Sequence, residues 1–366
     1  MIPAQTKKIM KILGIETSCD ETAASIIEIN EKEGSIKPLS NIISSQIALH
    51  SAWGGVVPNL AAREHLKNIF PVIEECLATA KATLAEIDLL AVTHGPGLIP
   101  ALLIGTTAAK TLSYVWRKPL LGIHHIEGHI YSNFIHKNIQ DIQFPILCLV
   151  VSGGHTQLVL MSEHLHYEII GQTQDDAVGE AFDKVARMLG LGYPGGPIVS
   201  TLASQANPVE KKYTVQFPRP MLQRDDFDFS FSGLKTAVLY YVKKNTAALS
   251  DPTFLQHVCY EFQQAALDIL IEKTMRAAKI HHPQTILLAG GVSANTELQR
   301  QLAKKIAADL PETNFFFPAL DFQLDNAGMI ATAAFFRHQK EQHPEKLLST
   351  WKDMETKANL KLETIL

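Results

Sequence analysis

The chain has 366 residues, with 33 Lys plus Arg against 37 Asp plus Glu (formal charge −4), 46% apolar residues and 19% charged ones. That balance belongs to a compact protein with a large core, long enough for two or three domains, and it excludes disordered, collagen-like and low-complexity chains. It also excludes a stand-alone binder of nucleic acid held by bulk positive charge, so a polyanionic partner would need a local basic patch or helper proteins.

No stretch approaches the roughly 18 apolar residues of a membrane span; the longest runs, 98–105 and 146–151, stop far short, so no membrane partner is expected. Lys7, Lys8 and Lys11 are followed by a strand pattern and then polar residues, not by a secretory apolar region. Cys19, Cys76, Cys148 and Cys259 form no CxxC pair, which points to reduced thiols and a cytoplasmic protein.

In chain order, Ile12–Ile15 reads as an apolar strand, Glu16–Thr22 as a polar turn and Ala23–Ile29 as a returning strand. Leu66, Ile69, Phe70, Ile73 and Leu77 fall at helical spacing, with Pro71 implying a kink or break. Gly95-Pro96-Gly97-Leu98 reads as a tight turn into a helix of small residues. Ile146–Val151, Ser152-Gly153-Gly154-His155 and Thr156–Met161 repeat the strand, small turn, strand plan, so the architecture reads as duplicated. Val178, Ala181, Phe182, Val185, Met188 and Leu189 form one helical face, opposite Glu180, Asp183, Lys184 and Arg187. A long helical pattern covers 254–280, a short strand 285–289 and another helix Leu298, Leu302 and Ile306. A strand at 314–317 and a helix beginning at Asp325 or Asn326 follow; beyond about His338 the chain reads as an appended polar tail without chemistry. Strands alternating with helices make this an α/β protein.

Several of these segments can carry chemistry. The first turn offers backbone N–H groups and the carboxylates of Asp20 and Glu21, although an ordinary hairpin turn would look the same. The Ser152-Gly153-Gly154 turn lets backbone approach a phosphate or an oxyanion. Two such turns facing each other would clamp a nucleotide. In Ala289-Gly290-Gly291-Val292-Ser293-Ala294-Asn295 a strand end leads into a helix; Asn295 is either a ligand contact or a helix cap. Tyr193–Pro197 is a stiff loop that would serve equally as a wall or as plain structure.

His125 and His129 are four apart, so on a helix both rings share one face, as zinc or iron ligation requires. Two surface histidines would show the same spacing. The metalloprotease pattern places a glutamate directly after the first histidine; here Ile126 stands there and Glu127 lies a further 100° around the helix. Proteolysis is therefore discounted. A third ligand must come from elsewhere: Asp325 is a candidate, with Asp175, Asp176 and Asp183 as rivals.

Taken together, ILGIETSCDETA (12–23), GGVVP (54–58), GPGL (95–98), HHIEGH (124–129), VVSGGHTQL (150–158), GEAFDK (179–184), YPGGP (193–197), FSFSGLKT (229–236) and AGGVSAN (289–295) stand in one order. Over roughly 10–340 the chain resembles the bacterial TsaD family, once called glycoproteases. That family is similar in fold to actin, Hsp70 and sugar kinases, with two RNase-H-like lobes around a nucleotide cleft. The resemblance implies a first lobe from residues 1–138 with 325–345, a second from 139–324 and a tail at 346–366.

The implied activity is transfer of threonylcarbamoyl from threonylcarbamoyl-adenylate to N6 of the adenosine beside the anticodon, in tRNAs reading codons that begin with A, with release of AMP. The resemblance implies one divalent metal, Fe2+ or Zn2+, on His125, His129 and Asp325. It implies substrate contacts at Val150, Val151, Ser152, Gly153, Gly154, Asp183, Gly196 and Asn295, and TsaB-like and TsaE-like protein partners. After the metal aspartate the usual Asn-Gly-Ala is here Asn326-Ala327-Gly328, and Leu324 precedes it. The donor is a mixed anhydride, so no strong nucleophile is required. The metal is expected to hold the threonyl part and polarise the carbamoyl carbonyl, amides of 152–154 to stabilise the oxyanion, and Asp20 or Glu21 to take the proton. A small-molecule kinase or ATPase of the same fold is the alternative, followed by a nucleotide-binding scaffold subunit. The segment 100–111, through Ala101 and Ala108, is expected to dock a partner helix. Arg63, Lys67, Lys211, Lys212, Arg219, Arg224, Arg300, Lys304 and Lys305 are the basic residues weighed for tRNA.

Overall fold

The computed structural model describes residues 9–207 and 212–363; Lys7, Lys8, Lys211 and the last three residues of the expected tail lie outside them. Among the described residues, ten strands form two sheets. The first holds β1 (Ile9–Glu16), β2 (Glu21–Asn30), β3 (Ser35–Ser45), β4 (Leu89–Gly95) and β5 (Leu120–His124) in the order β3-β2-β1-β4-β5. The second holds β6 (Ile146–Val151), β7 (Thr156–Met161), β8 (Tyr167–Gln172), β9 (Thr285–Ala289) and β10 (Asn314–Phe316) in the order β10-β9-β6-β7-β8. In each, three antiparallel strands lead to two parallel ones, so the duplication read from the turns is real.

The helices are α1 (Ile47–Ser51), α2 (Pro58–Ala80), α3 (Ile99–Trp116), α4 (His125–Tyr131), α5 (Val178–Met188), α6 (Gly195–Gln205), α7 (Ser232–Lys244), α8 (Pro252–His281), α9 (Thr296–Asp309) and α10 (Ala327–Lys340). Helix α2 continues through Pro71. Its buried side includes His65, Ile69, Ile73 and Cys76, whereas Leu66 and Phe70 face outward at 64% and 47% exposure. The 3.6-residue period was right and its inward direction was displaced: small and polar residues complete the inner face.

Strand β1 is buried on both faces, as a central strand with parallel and antiparallel neighbours must be. Leu13 and Ile15 join the cluster with α2 and α3; Met10 and Ile12 join the one containing α4 and α10. Gly14 matters because a Cβ there would lie 2.2 Å from the Ala327 carbonyl oxygen, so only glycine lets the start of α10 lie on β1. That approach carries Asp325 to the C-terminal end of β1. Helix α4 is wedged between the sheets: Ile126 and Ile130 share a buried cluster with Val150 and Ala289, and Asn133 donates to the Leu288 carbonyl at 3.2 Å.

Candidate metal centre and substrate cleft

Strand β5 ends at His124 and α4 starts at the next residue, so His125 and His129 stand one turn apart with ring centroids 4.6 Å from each other. Asp325 immediately precedes Asn326, whose side chain accepts the Met329 N–H at 2.9 Å and caps α10. The cap also donates to the Phe322 and Leu324 carbonyls, and Gly328 packs against the Phe322 ring, so the altered Asn326-Ala327-Gly328 order still gives a defined loop. Asp325 Oδ1 lies 3.1 Å from His129 Nε2 and 3.7 Å from His125 Nε2. Its rivals are occupied elsewhere: Asp175 accepts from Ser230 and from the Phe231 and Ser232 amides at the start of α7, and Asp176 pairs with Lys184 and Lys235. Asp183 accepts the Gly195 N–H at 2.7 Å.

A second layer fixes His125 from behind. Glu16, fully buried at the end of β1, accepts from the Ser18 amide and from Thr93 Oγ1, both at 2.5 Å, and lies 3.3 Å from His125 Nδ1. Ser18 Oγ lies 3.1 Å from the same nitrogen. Burial alone would depress the His125 pKa, but the Asp325 and Glu16 carboxylates raise it to about 9. Burial would likewise raise Asp325, but the His125 charge and the His129 contact hold it down to about 2. Glu16 is lowered for the same reason, against its own burial. Sequence reasoning placed Glu16 in a turn and passed over it. The available signal was an acidic residue closing an apolar run, which in a buried strand demands a partner.

The donor set fits a divalent ion by an observation of its own. Both ring nitrogens of His129 are buried and make no hydrogen bond, although Nε2 is 3.1 Å from a carboxylate oxygen. Close approach without hydrogen-bond alignment fits two ligands of one ion. All three ligand atoms lie within 4.8 Å of one another, and two imidazoles with one carboxylate suit zinc or iron(II).

This centre opens into a cleft of about 660 Å3 walled by both halves of the chain. Ser18, Asp20 and Pro96 line it from one side, Ser152, Asp183 and Tyr193 from the other. Asp20 is in the lining and Glu21 is not; burial and then the Asp20 charge push the Glu21 carboxyl well above the usual carboxylate range. Gly153 and Gly154 face open space, while the Ser152 N–H is used inside the turn, donating to the His155 carbonyl at 2.8 Å. Val150 and Val151 lie fully buried within β6 with side chains in the cores, so their side chains do not reach the cleft. Gly196 lies in the first turn of α6 with open space beside it. Asn295 caps α9 through Leu298 N and donates to Ser200 and Gln263, so its side chain serves as the cap. His155 also lines the cleft, its pKa lowered to about 4 by burial and by the nearby His125 and His129.

The sequence model described as "TsaD: tRNA N6-adenosine threonylcarbamoyltransferase" matches residues 37–332. The chain belongs to the TsaD family. Proteins named tRNA N6-adenosine threonylcarbamoyltransferase from Kosmotoga olearia and Geobacillus kaustophilus are 47% and 44% identical, over 89% and 94% of this chain and 93% and 97% of theirs. One from Listeria innocua is 48% identical over 89% of this chain and 91% of its own. A TsaD-family chain is an acyltransferase. Among solved structures, HypF of T. kodakarensis superposes with a TM-score of 0.58 at 11% identity, over 95% of this chain and 51% of that one. Component A of (R)-2-hydroxyglutaryl-CoA dehydratase from Acidaminococcus fermentans gives 0.51 at 12%, over 91% and 100%. These two likenesses concern the fold alone, and with the two five-stranded sheets they bear out the two-lobed actin-like architecture.

Other features of this TsaD-family chain refine the sequence reading. Glu127 points away from the metal face and is fully buried in an ion pair with Arg337 of α10, at 2.5 Å. It is therefore not placed as the general base of a metalloprotease. Ala101 and Ala108 are buried in the chain's own core, which overturns their choice as a partner surface; the outward apolar residues of α2 and α3 include Leu66, Phe70, Leu103, Tyr114 and Val115. Most basic residues weighed for tRNA are ion-paired, Lys67 with Glu64, Lys212 with Asp251, Arg219 with Glu261 and Asp268, and Arg300 with Glu297. Among the described residues no helix is long and apolar enough to cross a membrane.

Proposed function

We propose that the protein transfers threonylcarbamoyl from threonylcarbamoyl-adenylate to N6 of the adenosine beside the anticodon, in tRNAs that read codons beginning with A. The observation that carries this reading is the meeting of His125, His129 and Asp325 at one end of a cleft whose other wall is the Ser152–Gly154 turn. An ion held there, Fe2+ or Zn2+, would supply Lewis-acid polarisation of a bound carbonyl.

The chain's own residues do the rest. The N6 lone pair attacks the carbamoyl carbon, the bond from that carbon to the phosphate oxygen breaks, and AMP leaves with the bonding electrons. The Gly153 and Gly154 amides, left open where the Ser152 amide is not, donate to the developing oxyanion. Asp20, in the cleft lining, accepts the N6 proton. Asp183 braces the start of α6 through Gly195 and so sets the wall that includes Tyr193. The activity belongs to the cytoplasm, with a TsaB-like partner on the exposed apolar side of α2 and α3 and a TsaE-like ATPase completing the set.

The test supplies purified protein, both partners, tRNA and threonylcarbamoyl-adenylate, with and without a chelator, and measures the tRNA nucleosides by mass. Threonylcarbamoyl-adenosine that disappears with chelator is expected. No modified nucleoside, with phosphorylation of a small molecule from ATP instead, would revive the kinase reading.

A further inference from the structure

Residues 341–363 carry none of the family motifs and lie beyond the stretch matched by the family sequence model, 37–332. The sequence reads them as an appended tail, yet the structure lays them across the C-terminal ends of β4 and β5. Trp351 packs edge-on against Tyr114 with centroids 4.9 Å apart, and Trp351 and Met354 cover the cluster beneath α3. Lys110 Nζ donates to the Met354 carbonyl at 3.0 Å. The chain then pairs with the glycine turn: Lys357 N donates to the His94 carbonyl at 2.9 Å, and Gly97 N to the Ala358 carbonyl at 3.1 Å. A Cβ on Gly95 would lie 2.1 Å from the Lys357 carbonyl oxygen, so the glycine is what admits this segment.

Two lines of contact run from here to the metal centre. One goes through His124. Its Nε2 lies 3.0 Å from the Leu360 carbonyl, and its Nδ1 accepts the Ile126 N–H at 3.1 Å, capping α4. A carbonyl only accepts, so Nε2 carries the hydrogen and Nδ1 is left as the acceptor that the cap needs. Leu360 thus selects the tautomer that starts the helix bearing His125 and His129. The other line goes through the glycine turn. Leu98 N donates to the Ser18 carbonyl at 2.8 Å, and Ser18 Oγ lies 3.1 Å from His125 Nδ1.

We propose that segment 351–362 is a positioning strap for the metal-binding helix, with His124 as the positioning residue through which it acts. The inference rests on the metal reading above. Outer partners of metal ligands typically change metal affinity by about 10–100-fold when removed, and the strap sits one residue behind the first ligand.

The experiment measures Zn2+ affinity by competition with a chromophoric chelator, and the visible absorption of the Co2+-loaded protein, for four proteins. These are the full chain, a chain ending at Thr350, His124→Phe and His124→Asn. Circular dichroism melting reports whether each is folded. Truncation and His124→Phe are expected to weaken Zn2+ binding by about 10-fold or more and to alter the Co2+ spectrum. A synthetic peptide of residues 351–366 should restore the truncated chain. His124→Asn keeps a side-chain acceptor for the cap but does not extend to Leu360, so it should fall between. Zn2+ affinity within about twofold of the full chain and an unchanged Co2+ spectrum in folded His124→Phe would overturn the proposal, even if the truncated chain does not fold. Failure of the full chain itself to bind Zn2+ or Co2+ would instead overturn the metal reading, and the strap's role with it.

Discussion

The Glu16 carboxylate stands 3.3 Å behind His125 Nδ1, on the side of the ring away from Asp325. A buried carboxylate there orients the imidazole and makes its outer nitrogen a better ligand. Glu16→Gln keeps the size of the side chain and removes the charge. It is expected to weaken Zn2+ binding by about 10–100-fold while leaving the fold intact, as read by metal titration beside circular dichroism. Unchanged affinity would remove Glu16 from the site.

The two neighbouring carboxylates of the first turn are expected to behave differently. Asp20 lines the cleft, whereas Glu21 lies outside the lining and its carboxyl is pushed well above the usual range by burial and the Asp20 charge. Asp20→Asn should slow single-turnover transfer by about 100-fold or more, and Glu21→Gln should change it little. Full rates for both variants would take the proton-accepting role away from this turn.

Arg337 and Glu127 clamp α10 to α4, and the carboxylate has no exposure to solvent. Arg337→Met leaves that charge buried without its partner. A loss of about 3–5 kcal/mol of stability is expected, measured by denaturant unfolding. A double variant with Glu127→Gln should recover part of it, because the lone charge is then gone.

His164 is one of the buried histidines that make the fold acid-sensitive. Its ring stacks on Phe336 and Tyr131, and Tyr131 Oη lies 3.2 Å from Nδ1, which a neutral ring accepts. Burial, and then the Lys340 charge, lower its pKa from 6.5 to about 4. The unfolded chain therefore binds the proton first as pH falls, so the contribution of His164 to stability is full above pH 6.5 and is lost progressively down to pH 4. His164→Phe should flatten the stability profile in that window by about 1–2 kcal/mol, measured by urea unfolding at pH 7 and pH 5. An identical slope in both proteins would show that other groups carry the acid transition.

What the sequence determined by itself was local, or was order along the chain. Apolar periodicity located β6, β9, α5 and α8 close to their observed bounds, and marked β1 and α9 without their ends. The i, i+4 spacing put His125 and His129 on one helical face, and the succession of glycine-rich motifs pointed to the family. Residue spacing left Asp325 level with Asp175, Asp176 and Asp183, and only the family motifs favoured it; tertiary structure brought Asp325 alone beside the two histidines, gave Asn295 its cap, exposed Leu66 and Phe70, buried Ala101 and Ala108, and brought Glu16 and the 351–362 segment to α4. The physical reason is that periodicity reports where a side chain points relative to its own strand or helix. Which element arrives to cover it, accept its hydrogen bond or neutralise its charge depends on contacts between residues hundreds of positions apart, such as Gly14 admitting α10 and Gly95 admitting the strap.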